Sequence, residues 1–385
     1  MRVFFKGFLF ILFITSLSCN YVKNIKLLTG GKLDRQNFIE TIPFTYSKGI
    51  IVIEGKVNED TTKRAFIFDT GAFNSKIEKE LSDSLGLRKI AEKDNSTAQG
   101  IERKIEVTKI NSLKLGNTVF RNIGAGKLEY DKTSLSPCLA KHGLIGANLI
   151  KLAHWKINYK SRELSFSDEP FTPDKDKKSI LINFDKPLLS GTPSIDIKIG
   201  NREVGNVLFD LGFNGGVVLP KNVSSYFYSD KETVILDQST SGIYGSNIDT
   251  LIVKELEIGL SGFSTKVPVE FSSIGKALIG NDFLEHFTVF IDYKKKKITL
   301  QQESDVKIEE TADFIPGILS DNFWIVNRIE YESELMLGDT LSSINGKKPS
   351  DLYSSKCEYF FGITDFLSAG PIEVEPLKGE NKTIN

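Results

Sequence analysis

Phe66-Ile67-Phe68-Asp69-Thr70-Gly71-Ala72 returns later in the chain as Val207-Leu208-Phe209-Asp210-Leu211-Gly212-Phe213. In each copy an apolar run suited to a buried strand delivers an aspartate into a Gly turn. Further landmarks repeat in the same order. Gln99-Gly100-Ile101 is matched by Ser241-Gly242-Ile243, and Leu113-Lys114-Leu115-Gly116 by Leu256-Glu257-Ile258-Gly259. Leu144-Ile145-Gly146 with Ile157-Asn158-Tyr159-Lys160 is matched by Leu278-Ile279-Gly280 with Ile291-Asp292-Tyr293-Lys294. The first three pairs are offset by 141, 142 and 143 residues and the fourth by 134, which places an insertion in the first half around Lys127 to Lys141. A duplication of this kind can set two aspartates face to face. Two carboxylates sharing one proton can activate a water with no metal and no covalent intermediate.

On these motifs the chain resembles the aspartic peptidase superfamily of pepsin and the retropepsins, in which an Asp-Thr/Ser-Gly loop is followed by a flap hairpin and an apolar-apolar-Gly segment. The resemblance covers roughly Ile50 to Leu300, and Asp69-Thr70-Gly71 with Leu144-Ile145-Gly146-Ala147-Asn148-Leu149 behind it carries most of its weight. It implies a mainly β fold of two acid-protease β-barrel lobes in one chain, an internal pseudo-dimer that functions as a monomer. Asp69 and Asp210 would be the catalytic residues, on loops containing Thr70, Gly71, Ala72, Leu211 and Gly212. No metal or cofactor is required, and the partner is a peptide or protein substrate.

The second motif departs from the pattern. Leu211 stands where Thr or Ser is expected, and the family uses those hydroxyls to bond across the lobe interface. Thr70 would then act alone, bonding backbone across that interface. Pepsin-like enzymes place Ser or Thr after each Gly, whereas Ala72 and Phe213 bring no side-chain donor to the carboxylates, so the pair is expected to keep its shared proton to higher pH than in pepsin. Candidate flaps are Ala98-Gln99-Gly100-Ile101 and Ser241-Gly242-Ile243-Tyr244-Gly245. Gly100 and Gly242 would allow the hairpin tips to open, and Tyr244 either covers the cleft or is an exposed strand residue. The competing reading of Asp69 is an aspartate accepting backbone hydrogen bonds in a tight turn. For the whole chain it is a catalytically inactive envelope lipoprotein that binds extended peptides.

With 385 residues, 40% hydrophobic content and a formal net charge of −1, the chain is long enough for two or three domains, and its charge balance implies no nucleic-acid partner. Residues 1–19 read as an export signal: Arg2 and Lys6, an apolar run from Gly7 to Ser18 too short to span a bilayer, then Cys19. Small residues before a Cys resemble a bacterial lipoprotein signal, which would make Cys19 a lipid anchor in the cell envelope, facing the periplasm or the exterior. Plain secretion is the alternative. Cys138 and Cys357 are then expected to be isolated thiols.

Residues 20–41 form a lead-in, 42–167 the first lobe, 168–178 a polar linker, 179–300 the second lobe, 301–313 another linker and 314–385 a C-terminal domain. Ser75-Lys76-Ile77-Glu78 is a capping-box pattern that predicts a helix with Ile77, Leu81 and Leu85 on one face, closed by Gly86. In the tail, Leu337-Gly338-Asp339-Thr340-Leu341-Ser342-Ser343-Ile344-Asn345-Gly346-Lys347 resembles the middle of a PDZ domain, a small α/β fold, with Phe323–Val326 as the edge strand that accepts a peptide. A small β cap on the protease is the plainer reading. Other enzyme classes find little support. His142, His154 and His286 lack zinc-site spacing, and no Gly-x-Ser-x-Gly elbow is present.

Overall fold

The computed structural model describes residues 27–97, 100–187, 190–308, 312–368, 370–378 and 380–384. The expected export signal and Cys19 lie outside the described residues, as do Ala98 and Gln99 of the first candidate flap. Among the described residues no helix is long and apolar enough to cross a membrane.

β structure dominates, and the sequence duplication has a counterpart in strand topology. In the first half, Thr118–Leu128, Ser75–Glu78, Gly143–Ile145 and Arg64–Phe68 lie side by side in that order. The second half repeats the order with Phe263–Ser272, Val217–Pro220, Leu278–Ile279 and Arg202–Phe209. Directions repeat too. Ile145 is parallel-paired with Phe68, and Ile279 with Phe209, so each Leu-Ile-Gly strand runs beside the strand that ends in an aspartate.

A six-stranded sheet joins the halves, in the order Ser179–Asn183, Lys297–Gln302, Phe287–Asp292, His154–Asn158, Glu163–Ser167 and Ile39–Pro43. Its central pairing, Trp155 with Ile291 and Ile157 with Val289, binds first-half residues to second-half residues through backbone hydrogen bonds. Alternate residues point into one continuous apolar core. There Trp155 is fully buried, its ring centroid 5.0 Å from that of Phe68, the residue before Asp69. Burying rings of this size stabilises by roughly 2–3 kcal/mol each, which anchors the aspartate-bearing strand.

Three expectations fail. Ser75–Glu78 is a strand and not the start of a helix, which runs only over Lys79–Ser84. The cap is Glu78, whose carboxylate accepts from the Leu81 N–H at 2.7 Å, while the Ser75 N–H and hydroxyl are taken by Asn148 Oδ1 at 2.8 and 2.9 Å. Gly86, at φ +66°, follows the helix in the left-handed conformation.

Phe323–Val326 is not an open edge. It belongs to the strand Phe323–Glu330, which pairs with Ile315–Ser320 on one side and Thr340–Ile344 on the other. Its far end continues the second-half sheet, with Leu236 opposite Ile329. Trp324 and Val326 are fully buried in a separate apolar cluster of the C-terminal segment, which fixes the strand inside the sheet.

Cys138 and Cys357 are not isolated thiols; they form a disulfide across a sequence separation of 219 residues. Cys138 lies on the short helix Ser136–Leu139 inside the first-half insertion, and Cys357 on the helix Lys356–Leu367 of the C-terminal segment. The Lys356 ammonium reinforces this junction by donating to the carbonyls of Lys132 and Ser134 at 3.1 and 3.0 Å. A bridge closing so long a loop restricts the unfolded chain strongly. Replacing both cysteines by serine is expected to lower the stability of the C-terminal segment by about 3 kcal/mol. Urea unfolding followed by Trp324 fluorescence in a Trp155→Phe background checks this, and an unchanged midpoint would contradict it.

Candidate active site

Each aspartate sits where its strand ends, and the neighbouring Leu-Ile-Gly strand holds it there. The Asp69 and Asp210 N–H groups donate to the carbonyls of Ile145 and Ile279, both at 3.0 Å. One turn later the Ala147 N–H donates to Ala72 O and the Asn281 N–H to Phe213 O, both at 2.9 Å. The Gly in each Leu-Ile-Gly permits this closeness. A Cβ on Gly146 would lie 2.5 Å from the Asn74 carbonyl carbon, and one on Gly280 2.5 Å from Gly215 O.

The two loops meet reciprocally. A Cβ on Gly71 would fall 2.2 Å from Asp210 Oδ2, and one on Gly212 2.4 Å from Asp69 Cγ, so each carboxylate rests on the other half's glycine. The two carboxyl groups are close enough for the charge on one to act on the other. The Ala72 N–H donates to Asp69 Oδ1 at 2.7 Å and the Gly212 N–H to Asp210 Oδ1 at 2.8 Å. Burial pushes Asp69 above the usual carboxylate range, opposed by the Lys76 ammonium and the Ala72 N–H. Burial and then the charge on Asp69 push Asp210 well above it. Two carboxyls this close resist ionising together, so the pair is expected to share one proton.

Thr70 ties the loops together. Its buried hydroxyl donates to Phe209 O at 2.7 Å and accepts from the Leu211 N–H at 2.9 Å, both across the interface between the halves. Leu211 contributes packing instead, fully buried in the common core. Asn281, which the sequence reading passed over, fastens the second loop. Its amide donates to Leu211 O at 2.9 Å and to Gly49 O at 2.7 Å, and its Oδ1 accepts from the Tyr159 hydroxyl at 2.7 Å. The available signal was a paired asymmetry between the repeats: Leu211 replaces Thr70, and Asn281 replaces Ala147.

Gly100 sits at φ +74° in the turn linking the strands Ala91–Ser96 and Glu102–Leu115. Gly242 and Gly245 close a tight turn by mutual backbone hydrogen bonds of 2.9 and 3.2 Å. Tyr244 is no exposed strand residue. It is 3% exposed and reaches into the first half, where its hydroxyl accepts from the Asn95 amide at 3.0 Å and the Arg103 guanidinium lies 4.7 Å above its ring. Ile105 and Leu128 pack around it. The first-half insertion clips the same turn, through Asp131 N–H to Ile243 O at 3.2 Å and the Ser134 hydroxyl to Gly242 O at 2.9 Å. Beside the Asp210 loop opens a cavity of about 400 Å³, lined among others by Phe213, Gly216, Val217 and Arg328. Arg328 comes from the C-terminal segment, so that segment helps to shape the space beside the Phe213–Val218 stretch that follows the Asp210 loop. Of the histidines, His142 has a structural part, its Nδ1 accepting from the Ala65 N–H at 3.0 Å.

The chain matches the family model described as aspartyl protease over residues 53–149, a stretch that holds Asp69, the Ala91–Leu115 hairpin and the first Leu-Ile-Gly strand. That match supports an aspartyl protease domain in the first half of the chain. No curated protein matches the sequence.

Thr70→Val removes a buried hydroxyl and leaves Phe209 O and the Leu211 N–H unpaired, so it is expected to destabilise the protein by about 2 kcal/mol. Thr70→Ser, which keeps the hydroxyl, should retain most of that stability. Chemical denaturation of the two variants checks the difference, and equal losses would contradict the cross-interface bond.

Proposed function

We propose that the chain is an exported aspartic endopeptidase, with two lobes of β-barrel type in one polypeptide that together supply the dyad Asp69 and Asp210. The observation that carries this reading is the reciprocal packing of each carboxylate onto the opposite glycine. A water held between the two carboxyls would attack the scissile carbonyl carbon. Asp69 takes a proton from that water as its oxygen bonds to carbon, while Asp210 gives its proton to the carbonyl oxygen, producing a neutral gem-diol. In the second step Asp69 passes its proton to the amide nitrogen, the C–N bond breaks, and a diol hydroxyl returns a proton to Asp210. The dyad ends as it began. Substrate entry requires the Tyr244 turn to part from the first half.

The alternative of a silent peptide-binding protein rested on Leu211. The double hydrogen bond of Thr70 and the Asn281 bond to Leu211 O weigh against it, because they hold the second loop without a second threonine. Export is supported by the Cys138–Cys357 disulfide, since such bonds persist in oxidising compartments. Lipid anchoring through Cys19 in a bacterial envelope is part of the same proposal and rests on the sequence of residues 1–19. The C-terminal segment is proposed as a PDZ-like domain joined edge-on to the second lobe, supported by its own apolar cluster and the Asn345-Gly346 turn.

Asp69→Asn and Asp210→Asn are each expected to abolish cleavage of a diverse peptide mixture, and the double variant to be no worse than either, since the pair works as a unit. Substantial turnover by one single variant would contradict the two-carboxylate mechanism. A second expectation concerns pH. Because both carboxyls are raised by burial, the ionisation that switches activity on lies above the normal carboxylate range, and turnover should peak at weakly acidic to neutral pH. Ala72→Ser adds a donor for the ionised form and should move the acidic limb of the pH–rate profile downward.

A further inference from the structure

Lys76 occupies a place where a cation is costly. It lies on the strand Ser75–Glu78, is 6% exposed, and among the described residues its ammonium makes no hydrogen bond and no close ion pair. Strand register places it. Leu144 pairs with Ile67 on one side and Lys76 on the other, so these three side chains share one face of the sheet. Asp69 is two residues beyond Ile67, and the period of two returns it to that face. Lys76 and Asp69 therefore face each other diagonally across one intervening strand, with backbones roughly 10 Å apart in the pairing direction. The stem of Lys76 runs under Gly126, whose Cβ position would be 3.8 Å from Lys76 Cγ and 2.6 Å from Ile105 Cδ1. Tyr244 packs on Ile105 above. The stem of Lys76 is thus buried beneath the Tyr244 turn, on the face of the sheet that carries Asp69.

We propose that Lys76 is the counter-ion of the dyad: its ammonium balances the single negative charge of the half-protonated pair and draws that charge onto Asp69, leaving the proton with Asp210. The inference rests on the peptidase reading only for its kinetic consequence. A buried cation and a half-buried carboxylate pair of net charge minus one are each costly alone, whereas together they form a neutral set.

The surrounding charges leave Lys76 without another anion. On its own strand, Glu78 caps the following helix through Leu81. Lys93, on the strand Ala91–Ser96, is a like charge, held by Asn74 Oδ1 at 2.6 Å and set over the Phe73 ring. Lys127, next to Gly126 and so on the opposite face, is paired with Asp83. Arg103 is engaged by Asp131 and Tyr244. The strand Gly143–Ile145 brings no titratable side chain, and Asp69 and Asp210 are the acids that remain. Burial lowers the affinity of Lys76 for its proton and Asp69 raises it, while Asp69 feels the same attraction in reverse.

Lys76 acts through Asp69, so it is a positioning residue, and its removal should change where the dyad titrates. The test uses the full chain and its Lys76→Met, Lys76→Gln and Lys76→Arg variants. The carboxylic-acid infrared band of the dyad, isolated by difference from Asp69→Asn, is followed against pH. In Lys76→Met and Lys76→Gln the first ionisation of the pair is expected to rise by about one unit or more, and in Lys76→Arg to stay near that of the unaltered chain. The acidic limb of the pH–rate profile should move upward by the same amount. A dyad titration unchanged in both neutral variants, or a loss of turnover equal at all pH values, would overturn the proposal. Absence of cleavage with a shifted infrared titration would defeat the peptidase reading and leave the counter-ion role standing.

Discussion

Two carboxylates pressed onto each other's glycines, half-buried between two halves of a protein, resist carrying charge together. Every other feature of the centre follows from holding that arrangement together. The two parallel pairings with Leu-Ile-Gly strands fix where each aspartate leaves its strand. Thr70 and Asn281 fix the loops relative to each other. The shared six-stranded sheet keeps the halves at the spacing the carboxylates need. Repulsion between like charges in a half-buried site raises the affinity for one proton, and that proton makes acid–base chemistry available without a metal.

The asymmetry between the halves carries information. A symmetric centre would use the same hydroxyl from both sides. Here one threonine makes both cross-interface bonds, and the space a second hydroxyl would occupy is filled by a leucine in the apolar core. The first half holds Lys76 near its aspartate, and the second brings the Tyr244 turn over the top. The insertion in the first half is fastened to that turn and, through the disulfide, to the C-terminal segment. The Tyr244 turn is therefore tied, through the insertion, to the C-terminal segment.

Much of this was legible in the chain. The repeated order of landmarks located both aspartates and both Leu-Ile-Gly strands, because tight backbone packing leaves a short and specific pattern. The change of offset located the insertion. What escaped was long-range. The pairing of Cys138 with Cys357 depends on how the insertion leans on the C-terminal helix, which spacing alone does not reveal. The buried state of Tyr244 depends on a pocket built by the other half. Ser75 looked like a helix cap because its hydroxyl is a good acceptor, but that oxygen accepts from the Gly146 N–H at 3.1 Å while the hydroxyl donates to Asn148, and the cap moves to Glu78. Phe323–Val326 looked like an edge, but its partners flank it in sequence, Ile315–Ser320 before it and Thr340–Ile344 after it.

The decisive measurement is the location of protons at Asp69 and Asp210 by neutron diffraction from crystals of the full chain grown near neutral pH. One deuteron between the two carboxyls, nearer Asp210, is the expected result. Two fully ionised carboxylates separated by water, or two deuterons in that space, would show that the pair does not share a proton and that the chemistry proposed for it is wrong.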